Sequence, residues 1–360
     1  MRTIAVGDGT SRVTDSDPAD IAVDSTPVGR YRFAREIATK VWECRHNDNY
    51  HGALELVEDW IVIGLSAYLS LLVFKYQSWP ISIPVYLLAI FLIGGRQRAL
   101  ADILHQAAHG TLMRSKRAGN LLGTILSGYF VLQSLSGYRF SHVARHHCFL
   151  GHPTLDPDYE QYRRWNICGQ NLNAAAVRRH LLRTFTPGST LGYIKYLVKH
   201  RIFPATEDST ERIIRVSIIA SVILATCLLG YGYLLLFYWV VPLVTTQVWI
   251  GAFLELVEHY PMIETHRTLD IHMSRNRRCN WVSSFLLGLK QYDGYHLVHH
   301  QFPFVPSWRL PEVHQILMKD DLYRSLNQTC GWRAILETIF NPARSAAAGV
   351  GTVPDREVYQ

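Results

Sequence analysis

Charge is scarce in this 360-residue chain: Asp, Glu, Lys and Arg make up only 18% of it, against 48% hydrophobic residues. That balance excludes disorder as a description of the whole chain, because disordered chains are poor in apolar residues. Twenty-four glycines are far too few for a collagen repeat. Six cysteines, Cys44, Cys148, Cys168, Cys227, Cys279 and Cys330, show no paired spacing, and Cys227 lies inside an apolar run. We read them as reduced thiols, which excludes a disulfide scaffold and a cysteine zinc site. The scarcity of charge is also uneven, since the 39 residues from Val216 to Leu254 carry none at all. What remains is an integral membrane protein with a large polar part.

Thirty-six Lys and Arg against 29 Asp and Glu give a net charge of +7. In a membrane protein this reads as positive cytoplasmic flanks and not as nucleic-acid binding. Residues 1–28, rich in Asp, Thr, Ser and Gly, have no apolar period and read as disordered; they lack the basic-then-apolar order of a secretory leader. Residues 29–58 form an amphipathic cytoplasmic lead-in, with Arg30, Arg32, Arg35, Lys40 and Arg45 on its polar side.

The hydropathy pattern predicts membrane spans at about 59–77, 79–97, 213–229 and 233–254. Pro80 separates the first two. The second continues as helix through Arg96, Arg98 and Asp102 to His109, which places His105 roughly 15 Å beyond the membrane exit at ~1.5 Å per residue. One helix over the long uncharged run would extend ~58 Å, so Gly230-Tyr231-Gly232 is read as the turn of a second hairpin. Residues 119–137 are apolar but carry four glycines, and they fit a helix packed on the bundle better than a further span. Only Lys75 is basic in the two hairpin loops, so the positive-inside rule puts both termini and the middle of the chain in the cytoplasm. The expected fold is an all-α membrane protein: four transmembrane helices in two hairpins under a cytoplasmic helical cap, with a tail over 326–360.

Histidine is the abundant residue. Seventeen are present, and three groups stand out: His105-Gln-Ala-Ala-His109, His142-Val-Ala-Arg-His146-His147, and His296-Leu-Val-His299-His300. Helical residues three or four apart share a face, so each group can aim two or three imidazoles at one point. Imidazole suits borderline metals such as iron, copper, zinc and nickel. All three groups fall on the predicted cytoplasmic side. Eight imidazoles exceed what a tetrahedral zinc site takes and fit a two-metal centre better. A metal transporter or sensor would need ionisable residues at mid-membrane depth, and the four spans contain no histidine.

The order HxxxH, HxxxHH, HxxHH, with a hydrophobic hairpin before the third box, resembles the membrane fatty acid desaturase and hydroxylase superfamily. The flanks extend the likeness, in His109-Gly110, in Leu150-Gly151 through Asp156-Pro157-Asp158, and in Tyr295 to Pro303 with Val305-Pro306 and Leu310-Pro311. It covers roughly residues 55–320 and implies a desaturase-like membrane domain over 59–325. It also implies a non-haem centre of two iron ions, with O2 as co-substrate. In that superfamily a further histidine near the end of the last span completes the metal shell, and His259 in Glu258-His259-Tyr260 matches it. That element is also similar to membrane alkane monooxygenases. The implied ligands are His105, His109, His142, His146, His147, His259, His296, His299 and His300.

The implied reaction begins with reduction of the two irons, O2 activation and removal of a hydrogen from an unactivated C–H bond. A second removal makes an alkene; oxygen rebound makes an alcohol. Desaturation of a fatty-acyl or related lipid chain is favoured by the third box. Hydroxylation of a lipid, alkyl, carotenoid or specialised-metabolite chain is the alternative. No His-Pro-Gly-Gly haem motif, glycine-rich dinucleotide fingerprint or iron–sulfur cysteine set is present. Electrons are therefore expected from a separate ferredoxin or cytochrome b5-type donor with its reductase, in a bacterial inner membrane.

Several residues keep two readings. Acyl-CoA desaturases carry an Asn where this chain has Glu255. Either Glu255 or Glu258 touches the iron, or Glu255 is a helix-end carboxylate paired with an arginine. Asp156 and Asp158 are read as outer partners of a ligand imidazole or as helix caps; Asp293 is treated likewise. His152 is an outer partner or a polar loop residue. Arg163, Arg164, Arg178, Arg179, Arg183, Lys195, Lys199 and Arg201, joined by Arg275, Arg277 and Arg278, form a basic surface. It would face anionic membrane lipids, a phosphate-bearing acyl carrier or an acidic electron donor.

Overall fold

The computed structural model describes residues 28–168, 173–184, 186–265, 269–326 and 328–341. Of the expected disordered segment 1–28, residues 1–27 lie outside them, as do His266 and the end of the tail, whereas Val28 is described and packs against the core. The chain is helical almost throughout. Among the described residues, the exceptions to an all-α chain are a short parallel pair, Asn276–Arg278 with Gln328–Cys330, and an isolated bridge between Gly29 and Leu269.

The lead-in is shorter than its periodicity suggests. Helix α1 (Arg35–Glu43) ends well before α2 (His51–Tyr76) begins. The cause is local: Asp48 Oδ1 accepts from the backbone N–H groups of Tyr50 and His51, each at 3.0 Å, and so starts α2 eight residues before the expected span. Helix α3 (Trp79–His109) follows with Pro80 in its first turn, where the missing N–H costs nothing. It runs unbroken to the first histidine box, as expected.

Residues 119–137 form no helix long enough to cross a membrane. They form α4 (Lys116–Ile125), a 3-10 turn (Gly128–Val131) and the short α5 (Leu135–Tyr138), all packed beside α3. The polar segment supplies α6 (Pro157–Arg164), α7 (Ala174–Thr184) and α8 (Pro187–Leu197). Helix α9 (Ser209–Leu228) turns at Gly230 into α10 (Gly232–His259). Gly230 has φ of 82°, a left-handed conformation that glycine takes without Cβ strain.

Three helices, α2, α3 and α10, are long and apolar enough to cross a membrane. The expected fourth, α9, is helical where expected, but Glu211, Arg212 and Arg215 occupy its first two turns. Its uncharged stretch Val216–Leu229 spans only ~21 Å at ~1.5 Å per residue. Large apolar side chains such as Leu65, Tyr68, Leu87, Leu88, Leu224 and Phe237 are exposed along these helices. A water-soluble monomer rarely displays so broad an apolar belt, whereas hydrocarbon accepts it.

Helix α3 is the central post, packed against both α2 and α10. Gly94 permits the second contact: a Cβ there would lie 2.7 Å from the Gln247 amide nitrogen. The expected tail is part of the core as well. In the helix Gly331–Phe340, Ile335 and Ile339 are one turn apart and fully buried among Tyr162, Val177 and Leu254.

Candidate metal centre

Each histidine box is placed by a different backbone device. Gly110, with φ of 69°, stops α3 directly after His109 and leaves His105 and His109 one turn apart. The second box lies on a π-helix, Arg139–His146, which continues α5. Its wider winding is visible in the bond from the His147 N–H to the His142 carbonyl, five residues back, at 3.0 Å. Side chains five apart therefore meet, and the Nε2 atoms of His142 and His147 lie 3.0 Å apart. The third box is the six-residue helix His296–Gln301. Its start is held by the residue just before the strand at 276–278, since the Leu297 N–H donates to the Arg275 carbonyl at 3.2 Å. His259 ends α10, and its Nδ1–H donates to the Met273 carbonyl at 3.0 Å.

All nine imidazoles come together, but not box by box. In one lobe the ligating atoms of His105, His109, His142, His147 and His299 lie within 4.8 Å of one another. In the other, those of His146, His259 and His300 do so, and His296 Nε2 sits 3.0 Å from His259 Nε2 and 3.1 Å from His300 Nε2. The expectation that each box serves one point is corrected: boxes two and three both divide between the lobes. The lobes touch where the His147 and His300 rings stack at 4.3 Å and those of His142 and His146 at 5.1 Å.

The chemistry of this donor set fits metal ions. Nitrogens bound at ~2.1 Å to one cation stand roughly 3 Å apart in neighbouring positions, as the three Nε2 pairs do. Burial pushes His142, His147, His296, His299 and His300 well below the ordinary histidine range. They are held neutral, the form that ligates. Both ring nitrogens of His105 and the Nε2 atoms of His109 and His299 are buried without a partner, a cost that a bound cation removes. His146 differs. Burial pulls its pKa down, but Asp156 and Asp158 outweigh that and carry it to about 9. Its Nδ1–H donates to Asp156 Oδ1 at 3.0 Å, so a metal would compete only for the Nε2 proton.

The family model described as fatty acid desaturase matches residues 78–332, a stretch that contains all nine histidines. The chain belongs to the fatty acid desaturase family. It is 33% identical over 310 residues to the dihydrorhizobitoxine desaturase of Bradyrhizobium elkanii, a match covering 83% of this chain and 84% of that one. This family member is thus a membrane protein and a desaturase-like oxidoreductase.

The carboxylates divide by position. Asp156 both caps α6, accepting from the Asp158 N–H at 3.0 Å, and orients His146. Asp158 Oδ2 lies 3.3 Å from His146 Nδ1. Burial would raise Asp158, yet His146, Arg201 and the Tyr196 hydroxyl hold it below the usual carboxylate range. Glu258 Oε2 lies 3.6 Å from His296 Nε2. Glu255 turns elsewhere and accepts from the Tyr193 hydroxyl at 2.8 Å, not from an arginine. Asp293 binds Arg98 at 2.7 Å and Arg277 at 3.2 Å. His152 closes a loop turn, where its Nδ1 accepts from the Leu155 N–H at 3.2 Å.

The basic surface needs correction. Arg201, Arg275 and Arg277 are buried. Arg201 donates to Ser141 Oγ at 2.8 Å and to Asp158, and packs over the Tyr138 ring at 4.5 Å. Arg277 binds Glu258 and Asp293, and Arg275 donates to Thr338 and to the Tyr260 carbonyl. These guanidiniums brace the centre from within. Sequence reasoning also missed Tyr292, whose ring lies 4.6 Å from His105 and which is buried beside Asp102. Its place directly before Asp293 and the third box is the only signal that could have found it.

Proposed function

We propose that this chain is an O2-dependent di-iron desaturase that introduces a double bond into a fatty-acyl or related lipid chain. One observation carries the reading: nine imidazoles converge in two touching lobes with metal-facing nitrogens about one ligand spacing apart. His105, His109, His142, His147 and His299 would hold one iron, and His146, His259, His296 and His300 the other. The irons, once bound and reduced, supply the O2 activation needed to take hydrogen from an unactivated C–H bond. The protein supplies orientation and exclusion of water. Asp156 and the Met273 carbonyl fix the ring orientation of His146 and His259 by accepting their Nδ1 protons. Burial of the ring cluster keeps bulk water from the reacting centre.

The fold reading goes with it: α9 is the fourth span, both termini and the centre face the cytoplasm of a bacterial inner membrane, and a ferredoxin or b5-type protein delivers electrons. The exposed Arg163, Arg164, Arg178, Arg179, Arg183, Lys195 and Lys199 would meet that donor or anionic lipid.

A second reading concerns the substrate. The relative's name favours dihydrorhizobitoxine over an acyl chain. Membranes from a host expressing the intact chain, supplied with an electron donor, are assayed by mass spectrometry on endogenous lipids and on dihydrorhizobitoxine. A product lacking two hydrogens supports desaturation. A product with one added oxygen overturns it in favour of hydroxylation, and a protein holding one zinc and no iron overturns the di-iron assignment.

A further inference from the structure

The two lobes have unequal imidazole counts, five against four. We infer that Glu258 is a tenth ligand, a carboxylate that gives the four-imidazole lobe its fifth donor. The inference rests on the di-iron reading above and deepens it.

Three observations lead there. The first is orientation. Glu258 Oε1 is held by Arg277 Nη2 at 3.1 Å, with Arg98 Nη2 at 3.7 Å, which turns the other oxygen inward. Oε2 then lies 3.6 Å from His296 Nε2, too far for a hydrogen bond. That same nitrogen is 3.0 Å from His259 Nε2 and 3.1 Å from His300 Nε2. The Glu258 oxygen and the His259 and His296 nitrogens thus crowd together, with His300 beside His296, and a cation could replace the one proton that each imidazole pair can share. The second is neighbourhood, since ligand atoms of Glu258, His259 and His296 all fall within 4.8 Å of one another.

The third is charge. Arg98 and Arg277 face three carboxylates, Asp102, Asp293 and Glu258. Asp293 contacts both guanidiniums and Asp102 pairs with Arg98, so Glu258 is the third carboxylate beside two guanidiniums. A buried carboxylate in excess is costly unless a cation lies on its other side. An oxygen ligand beside histidines is also ordinary chemistry for iron. Glu255, three residues earlier, has its Oε2 occupied by the Tyr193 hydroxyl and, although its Oε1 is buried without a partner, belongs to none of these groupings.

The test uses full-length protein purified in detergent and loaded with 57Fe, read by iron content and Mössbauer spectroscopy. Glu258→Gln keeps the side-chain shape and removes the charge. It is expected to lower iron from about two per chain towards one, with one iron environment lost or altered and the other unchanged. Glu255→Gln is expected to retain both. If Glu258→Gln keeps two irons with the wild-type spectrum, Glu258 serves only Arg277 and the inference is overturned. Should that variant unfold, Glu258→Asp decides, because it keeps the charge beside Arg277 while withdrawing the oxygen from His296: loss of one iron environment supports the ligand role, and an unchanged spectrum overturns it. Wild-type protein without two irons defeats the di-iron reading itself, a result distinct from two irons that ignore Glu258.

Discussion

The two imidazole lobes are held in different ways. In the lobe of His146, His259, His296 and His300, two rings are fixed by hydrogen bonds behind them, to Asp156 and to the Met273 carbonyl. In the lobe of His105, His109, His142, His147 and His299, ring nitrogens facing away from the centre, such as His142 Nδ1 and His147 Nδ1, are buried without partners. Those rings are positioned by contact with one another and with aromatic neighbours: His105 meets Tyr292 at 4.6 Å and Tyr138 at 5.9 Å. Two of the four rings in one lobe are braced by directional bonds, although His296 Nδ1 there is buried without a partner, whereas the other lobe is held by packing. Directional bonds fix both the tautomer and the ring plane, whereas packing fixes the plane alone.

That contrast sets an order of sensitivity. The largest effect is expected from His299→Ala, which removes a donor from the packed lobe and opens a gap among rings that nothing else holds. Product formation should vanish and bound iron should fall while the protein still fractionates with the membrane; retained turnover would take His299 out of the ligand set. Next comes Asp156→Asn, which preserves the cap on α6 but no longer compels His146 to carry its proton on Nδ1. Metal affinity in the braced lobe should drop about 10- to 100-fold, as expected for an outer partner, and competition with a chelator measures it. The smallest effect is expected from Tyr292→Phe, which deletes the hydroxyl and leaves the ring against His105. Iron retention should change by less than about threefold, below the range for a directional outer partner. A loss as large as that of Asp156→Asn would show that the first lobe also depends on a directional bond, made by the Tyr292 hydroxyl, and the distinction between the lobes would collapse.

What could be read from sequence here follows the range of each interaction. The boxes were legible because their spacings are local, and Gly230 and Gly110 mark real chain reversals and stops. The division of the boxes between lobes was not. An α-helical spacing argument pairs His142 with His146, whereas the π-winding pairs His142 with His147 and sends His146 across to His259 and His300. The buried arginines misled for a related reason. Arg201, Arg275 and Arg277 look like surface charge until Asp158, the Tyr260 carbonyl and Glu258, tens of residues away or on another element, are brought against them. The expected span at α9 was legible as a helix. The charged residues of its first two turns shorten the apolar part, and Arg215 is buried against Glu207 at 2.8 Å.

The unbroken course of α3 has a mechanical consequence. From Trp79 to His109 it is one 31-residue helix, and the same rod that spans the apolar layer ends in two of the histidines. A residue inserted between Gly95 and His105 would turn both imidazoles by about 100° and lift them ~1.5 Å, with no intervening loop to absorb the change. The depth at which this protein sits in its membrane and the aim of its first histidine pair are therefore a single variable.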